Sequence, residues 1–216
     1  MSERDRLRAR LDAGLAGLRL PLPEATIGTL LDYIALLSRW NAAYNLTAVR
    51  DPGDMITRHL VDSLAIVPYV AGETLADLGS GAGLPGIVLA ILAPERRVTV
   101  VDSNGKKARF LREAARALKL ANVRVEEKRV EDVEGRYDCI TARAFATLAD
   151  MLAWGGQLLA ANGTWLAMKG RVLDEELAGV PVGFRIEAVH ALDVPGLDAE
   201  RHLVVVSRAP GESVST

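Results

Sequence analysis

The residues best suited to chemistry lie in the stretch DLGSGAGLPG, from Asp77 to Gly86. It packs glycines and a proline between a short apolar run and a longer one. Glycine permits tight turns and lets a ligand approach the backbone closely. At a strand-to-helix turn, the helix N-terminus also favours negative charge. The stretch therefore indicates a nucleotide-like ligand, and the alternative is a tight turn that binds nothing.

Two known ligand patterns overlap on this stretch. Dinucleotide sites use G-x-G-x-x-G, which matches Gly81, Gly83 and Gly86. S-adenosylmethionine-dependent methyltransferases use D-x-G-x-G-x-G, which matches Asp77, Gly79, Gly81 and Gly83. At a strand end, Asp77 would order the loop and the cationic amino group of this donor, but it would repel a pyrophosphate. Pro85 lacks the amide that a phosphate would use. The stretch therefore favours S-adenosylmethionine.

A second acidic residue follows the next predicted strand. Asp102 ends the run VTVVD, about 20 residues after the glycines, where a carboxylate accepts hydrogen bonds from both hydroxyls of a ribose. The alternative is that Asp102 caps the next helix. Both roles are compatible, because Ser103 or Asn104 is available as the actual cap.

These residues need a sheet that brings strand ends together. From Glu73 onward, β-rich runs alternate with helical ones, which predicts a doubly wound α/β sheet that is mostly parallel. The helical runs include one near Leu148 to Ala161. The last two strands, near Phe184 to Leu192 and His202 to Ser207, are predicted to form an antiparallel hairpin, because no helical pattern separates them. Such a hairpin is typical of the Rossmann-like class I methyltransferase sheet.

The first seventy residues have a helical pattern instead. Helices are predicted over Ser2 to Gly17, after Pro23, and from Pro52 to about Val67, with Asp51 as the N-cap of the third. The second helix carries an apolar stripe made of Ile27, Leu30, Leu31, Ile34 and Leu37. We therefore expect an N-terminal helical cap over residues 1–70, a donor-binding core over 71–210 and a flexible tail over 211–216.

Composition excludes several classes of protein. The 216 residues are half hydrophobic and a quarter charged, which is typical of a globular chain. A net charge of -2 predicts no general affinity for polyanions, so any RNA surface must be a local patch. The start MSERDRLRARL is too charged for a signal peptide. No apolar run approaches the roughly 18 residues of a membrane span. Cys139 is a single cysteine and has no disulfide partner. A cytoplasmic location is expected, with no membrane partner.

Seven segments of the chain resemble one known protein family. The segments WNAAYNLTAV, DMITRHLVDSLAI, DLGSGAGLPGIVLAI, VDSNGKKARFL, RVEDV, ARAFA and MKG resemble, in order, the bacterial ribosomal RNA small-subunit methyltransferase G family, also called glucose-inhibited division protein B. The resemblance runs from about Leu30 to Lys169. It implies methyl transfer from S-adenosylmethionine to N7 of one guanine in the decoding-region hairpin of 16S ribosomal RNA, free or in an assembling small subunit. Carried over by motif, Gly79, Leu84, Val130, Glu131 and Arg143 would bind the donor.

Several polar residues are candidates for the RNA surface. Arg143 follows the fourth predicted strand and Lys169 ends the fifth, where they would hold a phosphate, or for Arg143 the donor's carboxylate. The alternative for Arg143 is a surface ion pair. The helix after Asp102 has one basic face, and we expect its first lysines to contact phosphates; the alternative is a solvated face. The cap concentrates amide, basic and aromatic groups suited to an unpaired base. The candidates outside the strands are Lys106, Lys107, Asn41, Asn45, Arg58 and His59.

Each cap candidate also has a structural interpretation. Trp40 and Tyr44 would equally form the core of the cap, and His59 with Asp62 would form an internal hydrogen-bonded pair.

Other function classes remain open: a nucleotide-sensing module, or a nicotinamide-dependent reductase on the same sheet. No Tyr and Lys pair near the fourth strand supports a reductase, and no Asn/Asp-Pro-Pro-aromatic run supports methylation of an exocyclic amine. Cys139 lies within a strand, which disfavours a thiol mechanism. We therefore expect a ring nitrogen as acceptor, catalysis without a general base, no metal, and a monomer.

Overall fold

A computed structural model describes residues 1–143, 146–172 and 174–210. The predicted flexible tail, 211–216, lies outside the described residues, as do Ala144 and Phe145 of the ARAFA motif. The described part of the chain forms seven strands: β1 (Thr74–Leu78), β2 (Arg97–Val101), β3 (Val123–Glu126), β4 (Tyr137–Arg143), β5 (Leu159–Lys169), β6 (Phe184–Ala191) and β7 (His202–Arg208).

The strands form one sheet in the order β3-β2-β1-β4-β5-β7-β6. Strands β1 to β5 pair in parallel, while β7 runs antiparallel to both β5 and β6. This confirms the predicted α/β sheet with its C-terminal antiparallel hairpin. The order reverses beside β1, and ligands of such sheets bind beyond the carboxyl ends of the strands at that point.

Helices cover the sheet: α5 (Gly86–Leu92), α6 (Gly105–Ala117), α7 (Leu148–Gly155) and α8 (Asp174–Ala178). The helix predicted near Leu148 to Ala161 was wrong in its second half, because α7 ends at Gly155, a 3₁₀ turn follows over Gly156–Leu158, and β5 begins at Leu159. Paired glycines are poor helix formers, and Gly156 packs directly against the ring of Phe184.

Three helices precede the sheet: α1 (Glu3–Gly17), α2 (Glu24–Tyr44) and a broken third one. Ser2 and Asp5 form a capping box at the start of α1. The third begins, as predicted, with Asp51 as N-cap and Pro52 at its first position. It is not a regular α-helix to Val67, however, because α3 (Pro52–Met55) widens into a π-helical turn before α4 (Asp62–Leu64). The π turn covers Ile56–Val61. Such turns often occur at functional sites.

The apolar stripe of α2 is buried as predicted. It belongs to a hydrophobic cluster that also contains Val88 of α5, Phe110 of α6 and Leu166 of β5. The helical cap therefore shares its core with one face of the sheet. A second cluster, around Trp165, lies on the opposite face beneath α7. Among the described residues, no helix is both long and apolar enough to cross a membrane.

Candidate functional site

The glycine loop links β1 to α5 at the carboxyl edge of the sheet. Gly79, Gly81 and Gly83 have φ angles of 69°, 59° and 91°, in the left-handed region that favours glycine. The amides of Gly83 and Leu84 donate to the carbonyl of Ser80 at 2.8 and 3.0 Å. The glycine spacing therefore encodes a tightly wound loop.

Asp77 organises this loop from beneath. Its side chain is fully buried; Oδ2 accepts a hydrogen bond from the amide of Gly86 at 3.0 Å, and Oδ1 accepts one from Oγ1 of Thr141 at 2.9 Å. Burial raises the pKa of Asp77 to about 6, against these hydrogen bonds, which favour the charged form. The geometry supports loop ordering by Asp77, whereas the predicted contact with the donor's amino group finds no support in a carboxylate so enclosed.

Asp102 ties the loop to the next turn. Its Oδ2 accepts from the amide of Gly81 at 2.9 Å, and its Oδ1 accepts from the amide of Asn104 at 2.8 Å. Asn104 is the N-cap of α6, as the sequence allowed, because its side chain accepts from the amides of Lys106 and Lys107. A carboxylate has about four acceptor positions, so these two bonds leave capacity for ribose hydroxyls.

A cavity of about 280 Å³ opens beside the loop. It contains four of the predicted donor-binding residues, Gly79, Asp102, Val130 and Glu131. Val130 and Glu131 reach it from a 3₁₀ turn after β3, over Val130–Asp132. Leu84, also predicted to bind the donor, is buried within the hydrophobic core behind the loop.

Six further residues line the cavity that sequence reasoning had placed elsewhere or missed. They are Val101, Ser103, Lys107, Lys128, Arg129 and Trp154. Arg129 is the first residue of the RVEDV motif and Lys128 directly precedes it, so their position was a usable signal. Trp154 belongs to α7, and its approach depends on Gly155, whose missing side chain lets α7 pack against Val130. Nothing in the local sequence reveals that contact.

Arg143 lies next to the glycine loop because of strand register. Leu78 of β1 pairs with Ala142 of β4, so the residues that follow them, Gly79 and Arg143, leave the same edge of the sheet side by side. Arg143 Nη1 lies 3.3 Å from Oδ2 of Asp62 and 3.4 Å from the carbonyl oxygen of Arg58. This pairing joins the end of β4 to the cap.

Asp62 is the centre of an arginine cluster that the sequence did not reveal. Its carboxylate is 1% exposed; Oδ1 accepts from Nε of Arg201 at 2.8 Å, while Oδ2 faces Arg143. The predicted pair of His59 and Asp62 is therefore wrong, because both carboxylate oxygens face arginines. Asp62, Arg143 and Arg201 together carry one net positive charge.

His59 is buried and has other partners. Its Nδ1 lies 2.9 Å from the carbonyl oxygen of Arg58, so this nitrogen carries the proton; Nε2, 2.9 Å from Oγ1 of Thr47, is then the acceptor. Burial, and secondarily the charge of Arg143, lowers the pKa of His59 to about 4. A neutral imidazole with both nitrogens engaged is a structural element of the cap.

Other predicted RNA-facing residues divide into buried and exposed groups. Asn41 is 2% exposed, and its side chain bonds the carbonyl of Val49 and the amide of Thr47, so it is not placed for RNA contact. Lys169 is also buried: Nζ donates to the carbonyl of Ala146 at 2.6 Å and lies 2.7 Å from Oε1 of Glu176. The exposed group is Asn45, Arg58 and Lys106.

Aromatic residues of the cap are structural for the most part. The ring of Trp40 lies 5.7 Å from that of Phe110 and 5.1 Å from that of Tyr44, which is partly exposed. Trp40 thus fastens α2 to α6. The thiol of Cys139 is buried, which raises its pKa to about 12 and rules it out as a nucleophile near neutral pH, as expected.

Comparison with known proteins identifies the family of the chain and the chemistry of that family. A family model described as rRNA small subunit methyltransferase G matches residues 26–204. A relative named Ribosomal RNA small subunit methyltransferase G, from Xanthomonas euvesicatoria pv. vesicatoria (strain 85-10), is 57% identical over 202 residues, which are 93% of this chain and 94% of the relative. The chain belongs to this methyltransferase G family. The predicted family and enzyme class are confirmed, and S-adenosylmethionine is the cofactor.

Solved structures share the fold at low sequence identity. A ribosomal protein L11 methylase from Lactobacillus delbrueckii subsp. bulgaricus has a TM-score of 0.53 and 19% identity, over 68% of this chain and 76% of that one. A mutant of MtNAS in complex with S-adenosylmethionine has a TM-score of 0.55 and 17% identity, over 85% and 79% of the two chains. At these identities, both likenesses show the fold alone.

The residues that line this cavity of the methyltransferase G chain fit the cofactor chemically. Asp102 and Glu131 offer acceptors for hydroxyl and amine donors, Val130 and Trp154 offer apolar surface, and Gly79 leaves the backbone accessible. The volume lies just below the usual range of about 300–1,000 Å³ for small-molecule pockets.

Proposed function

We propose that this protein methylates the N7 atom of one guanine in 16S ribosomal RNA, in the cytoplasm and as a monomer. One observation carries the proposal: Gly79 and Arg143 directly follow paired residues of the adjacent strands β1 and β4. Gly79 lines the cavity, and Arg143 belongs to the arginine cluster. A donor in the cavity and an anionic polymer on the arginine cluster would therefore be in contact at the carboxyl edge of the sheet. The family name of the chain identifies that polymer as RNA.

We assign the donor to the cavity residues. Asp102 accepts hydrogen bonds from the ribose, and Val130 and Glu131 contact the adenine. Gly79 provides an open backbone, while Gly81, Gly83 and Asp77 keep the loop wound. When bound, S-adenosylmethionine supplies an electrophilic methyl group on a positively charged sulfur. The protein's part is to orient this group and to exclude water around it.

We assign the RNA to the surface shared by the cap, residues 1–70, and the core, residues 71–210. Arg143 and the exposed Arg58 lie at the seam between them, and Lys106 lies in the first turn of α6, next to Lys107 of the cavity. Arginine binds phosphate through two parallel N–H groups, which fixes the orientation of the backbone as well as its position. Asn45, exposed at the end of α2, is a further contact.

Methylation of guanine N7 requires no general base. N7 has a free lone pair at neutral pH, and the product keeps its positive charge without losing a proton. Alignment of the nucleophile with the methyl carbon and sulfur can lower the barrier by about 7 to 11 kcal/mol. The environment of His59 agrees with this chemistry, because its unprotonated nitrogen is engaged by Thr47.

The test is methylation of 16S RNA from cells that lack this enzyme, with labelled S-adenosylmethionine, followed by mass mapping. We expect one labelled guanosine, and strand cleavage at that nucleotide after borohydride and aniline treatment, which detects N7-methylguanosine. Free RNA and small-subunit particles, assayed in parallel, identify the form of the substrate. Label on an exocyclic amine, on ribose, or on another RNA would overturn the proposal.

A further inference from the structure

A single tyrosine links the N-terminal cap to the glycine loop. Tyr33 lies in the middle of α2 and is fully buried. Its hydroxyl donates a hydrogen bond of 2.7 Å to the carbonyl oxygen of Ala82, which lies between Gly81 and Gly83. The contact spans 49 residues of sequence, so no local pattern could have revealed it.

The position of this bond in the loop matters. Ala82 is flanked by two glycines with positive φ angles, and glycine has the fewest steric barriers to backbone rotation. The peptide units on either side of Ala82 therefore rotate more readily than those in a strand. A hydrogen bond to the Ala82 carbonyl fixes the orientation of the peptide unit that it shares with Gly83.

The other described anchors of the loop come from the sheet or from the loop itself. Asp77 of β1 holds Gly86, Asp102 after β2 holds Gly81, and Ser80 holds Gly83 and Leu84. Tyr33 supplies the anchor from the cap.

The hydroxyl is held in place by rigid surroundings. The ring of Tyr33 lies 6.5 Å from that of Phe110, and Trp40, two turns further along α2, also packs on Phe110. Burial raises the pKa of Tyr33, so its hydroxyl remains a donor over the whole working pH range. The bond therefore depends on how α2 is seated on α6.

We propose that Tyr33 is a positioning residue for the methyl donor: by holding the Ala82 peptide unit, it fixes the shape of the glycine loop against which S-adenosylmethionine binds. The cap would then contribute to the donor site as well as to RNA binding. The inference rests on the assignment of the donor to the cavity beside Gly79. Removal of the hydroxyl leaves the buried carbonyl of Ala82 without its hydrogen-bond donor, which destabilises the loop directly.

The test compares Tyr33→Phe with two matched variants. Tyr69→Phe makes the same chemical change outside the loop, and Leu11→Ala weakens the packing of the cap at α1, a helix with no described hydrogen bond to the loop. Titration calorimetry measures affinity for S-adenosylmethionine, and hydrogen exchange measures protection of the amides of Gly83 and Leu84. Steady-state kinetics separates the KM of the donor from the KM of RNA.

We expect Tyr33→Phe to weaken donor affinity about five- to twentyfold, to speed exchange at Gly83 and Leu84, and to leave the KM of RNA within about twofold. Tyr69→Phe should match the wild type, and Leu11→Ala should lose stability with little change in donor affinity. Unchanged donor affinity in Tyr33→Phe, or an equal loss in Leu11→Ala, overturns the inference. Wild-type protein that binds no donor would instead overturn the donor site itself, and this inference with it.

Discussion

Arg201 and Asp62 meet across 139 residues of sequence, with 2.8 Å between Nε and Oδ1. The first residue precedes the last strand and the second belongs to the cap, so this bond ties the two ends of the fold together. Because Asp62 is buried and also faces Arg143, one carboxylate holds two arginines at the edge where we place the RNA. A buried charge of this kind is tolerated only while its partners remain.

Asp62→Asn should therefore weaken both stability and RNA binding. The amide keeps the size of the side chain but leaves two arginines without their counter-charge. We expect about 1 to 3 kcal/mol less free energy of unfolding and a higher KM for RNA, with donor affinity nearly unchanged. Urea denaturation and steady-state kinetics measure these effects.

A double-mutant cycle provides the control. If Asp62 acts through Arg201, the losses in Asp62→Asn and Arg201→Gln should not add in the double variant. Two outcomes would show that Asp62 does not orient the arginines for RNA. One is that the losses of the two single variants add in the double variant, and the other is that Asp62→Asn has the RNA kinetics of the wild type.

Asp102→Ala should weaken donor binding by about 1 to 3 kcal/mol, because it removes charge-assisted acceptors from the cavity and the anchor of the Gly81 amide. Asp132→Ala is a suitable control, since Asp132 lies in the same 3₁₀ turn as two cavity residues. Calorimetry that finds wild-type donor affinity in Asp102→Ala would remove Asp102 from the site.

The first two lysines of α6 should behave differently from each other. Lys106 is exposed, whereas Lys107 lines the cavity with its Nζ 3.9 Å from Oδ2 of Asp102. Lys106→Glu should weaken RNA binding and flatten its salt dependence while donor affinity stays constant. Lys107→Glu should lower donor affinity as well, because it adds a negative charge beside Asp102. Equal losses of donor and RNA affinity in Lys106→Glu would indicate a structural role for Lys106.

Trp154 offers a direct optical measurement of donor binding. It is 38% exposed on the cavity wall, while Trp165 is fully buried beneath α7 and Trp40 lies in the cap. We expect S-adenosylmethionine to change tryptophan fluorescence in the wild type, and this change to disappear in Trp154→Leu. Trp40→Leu is the control. A signal that survives in Trp154→Leu would place the donor away from this wall.

Local patterns predicted most of the fold because strands, caps and glycine turns are specified by nearby residues. The capping box of Ser2, the Asp51 cap and the Asn104 cap all depend on neighbours within a few residues. Local motifs also singled out Gly79 and Asp102, which line the same cavity.

The remaining errors concern burial and contacts between distant segments. Asn41 and Lys169 have residue types suited to RNA, yet both are buried and bonded internally, which only the packed fold reveals. The anchors of the site at Tyr33 and Arg201 arise from contacts across 49 and 139 residues. Periodicity and motif spacing carry no information about such pairs.

The final prediction concerns His59 and the pH dependence of catalysis. With a pKa lowered to about 4, His59 is neutral throughout the neutral range, and its lone pair is engaged by Thr47. The single-turnover rate at saturating RNA and donor should therefore be flat from about pH 6 to 8.5, in the wild type and in His59→Gln. A sigmoidal rise near the ordinary histidine pKa of about 6.5 that disappears in His59→Gln would make His59 a base in the reaction.

Stability should respond to His59 even though the rate does not. A histidine whose pKa is lowered by folding contributes stability above its unfolded pKa, and this contribution is lost as the pH falls toward the folded value. Between about pH 6.5 and 4, the unfolded chain binds a proton at this position that the folded chain excludes. The free energy of unfolding of the wild type should therefore fall over this window more steeply than that of His59→Gln, as measured by denaturation at each pH. Parallel curves would mean that His59 takes up its proton in the folded protein at its ordinary pKa, and the flat rate profile would then need another explanation.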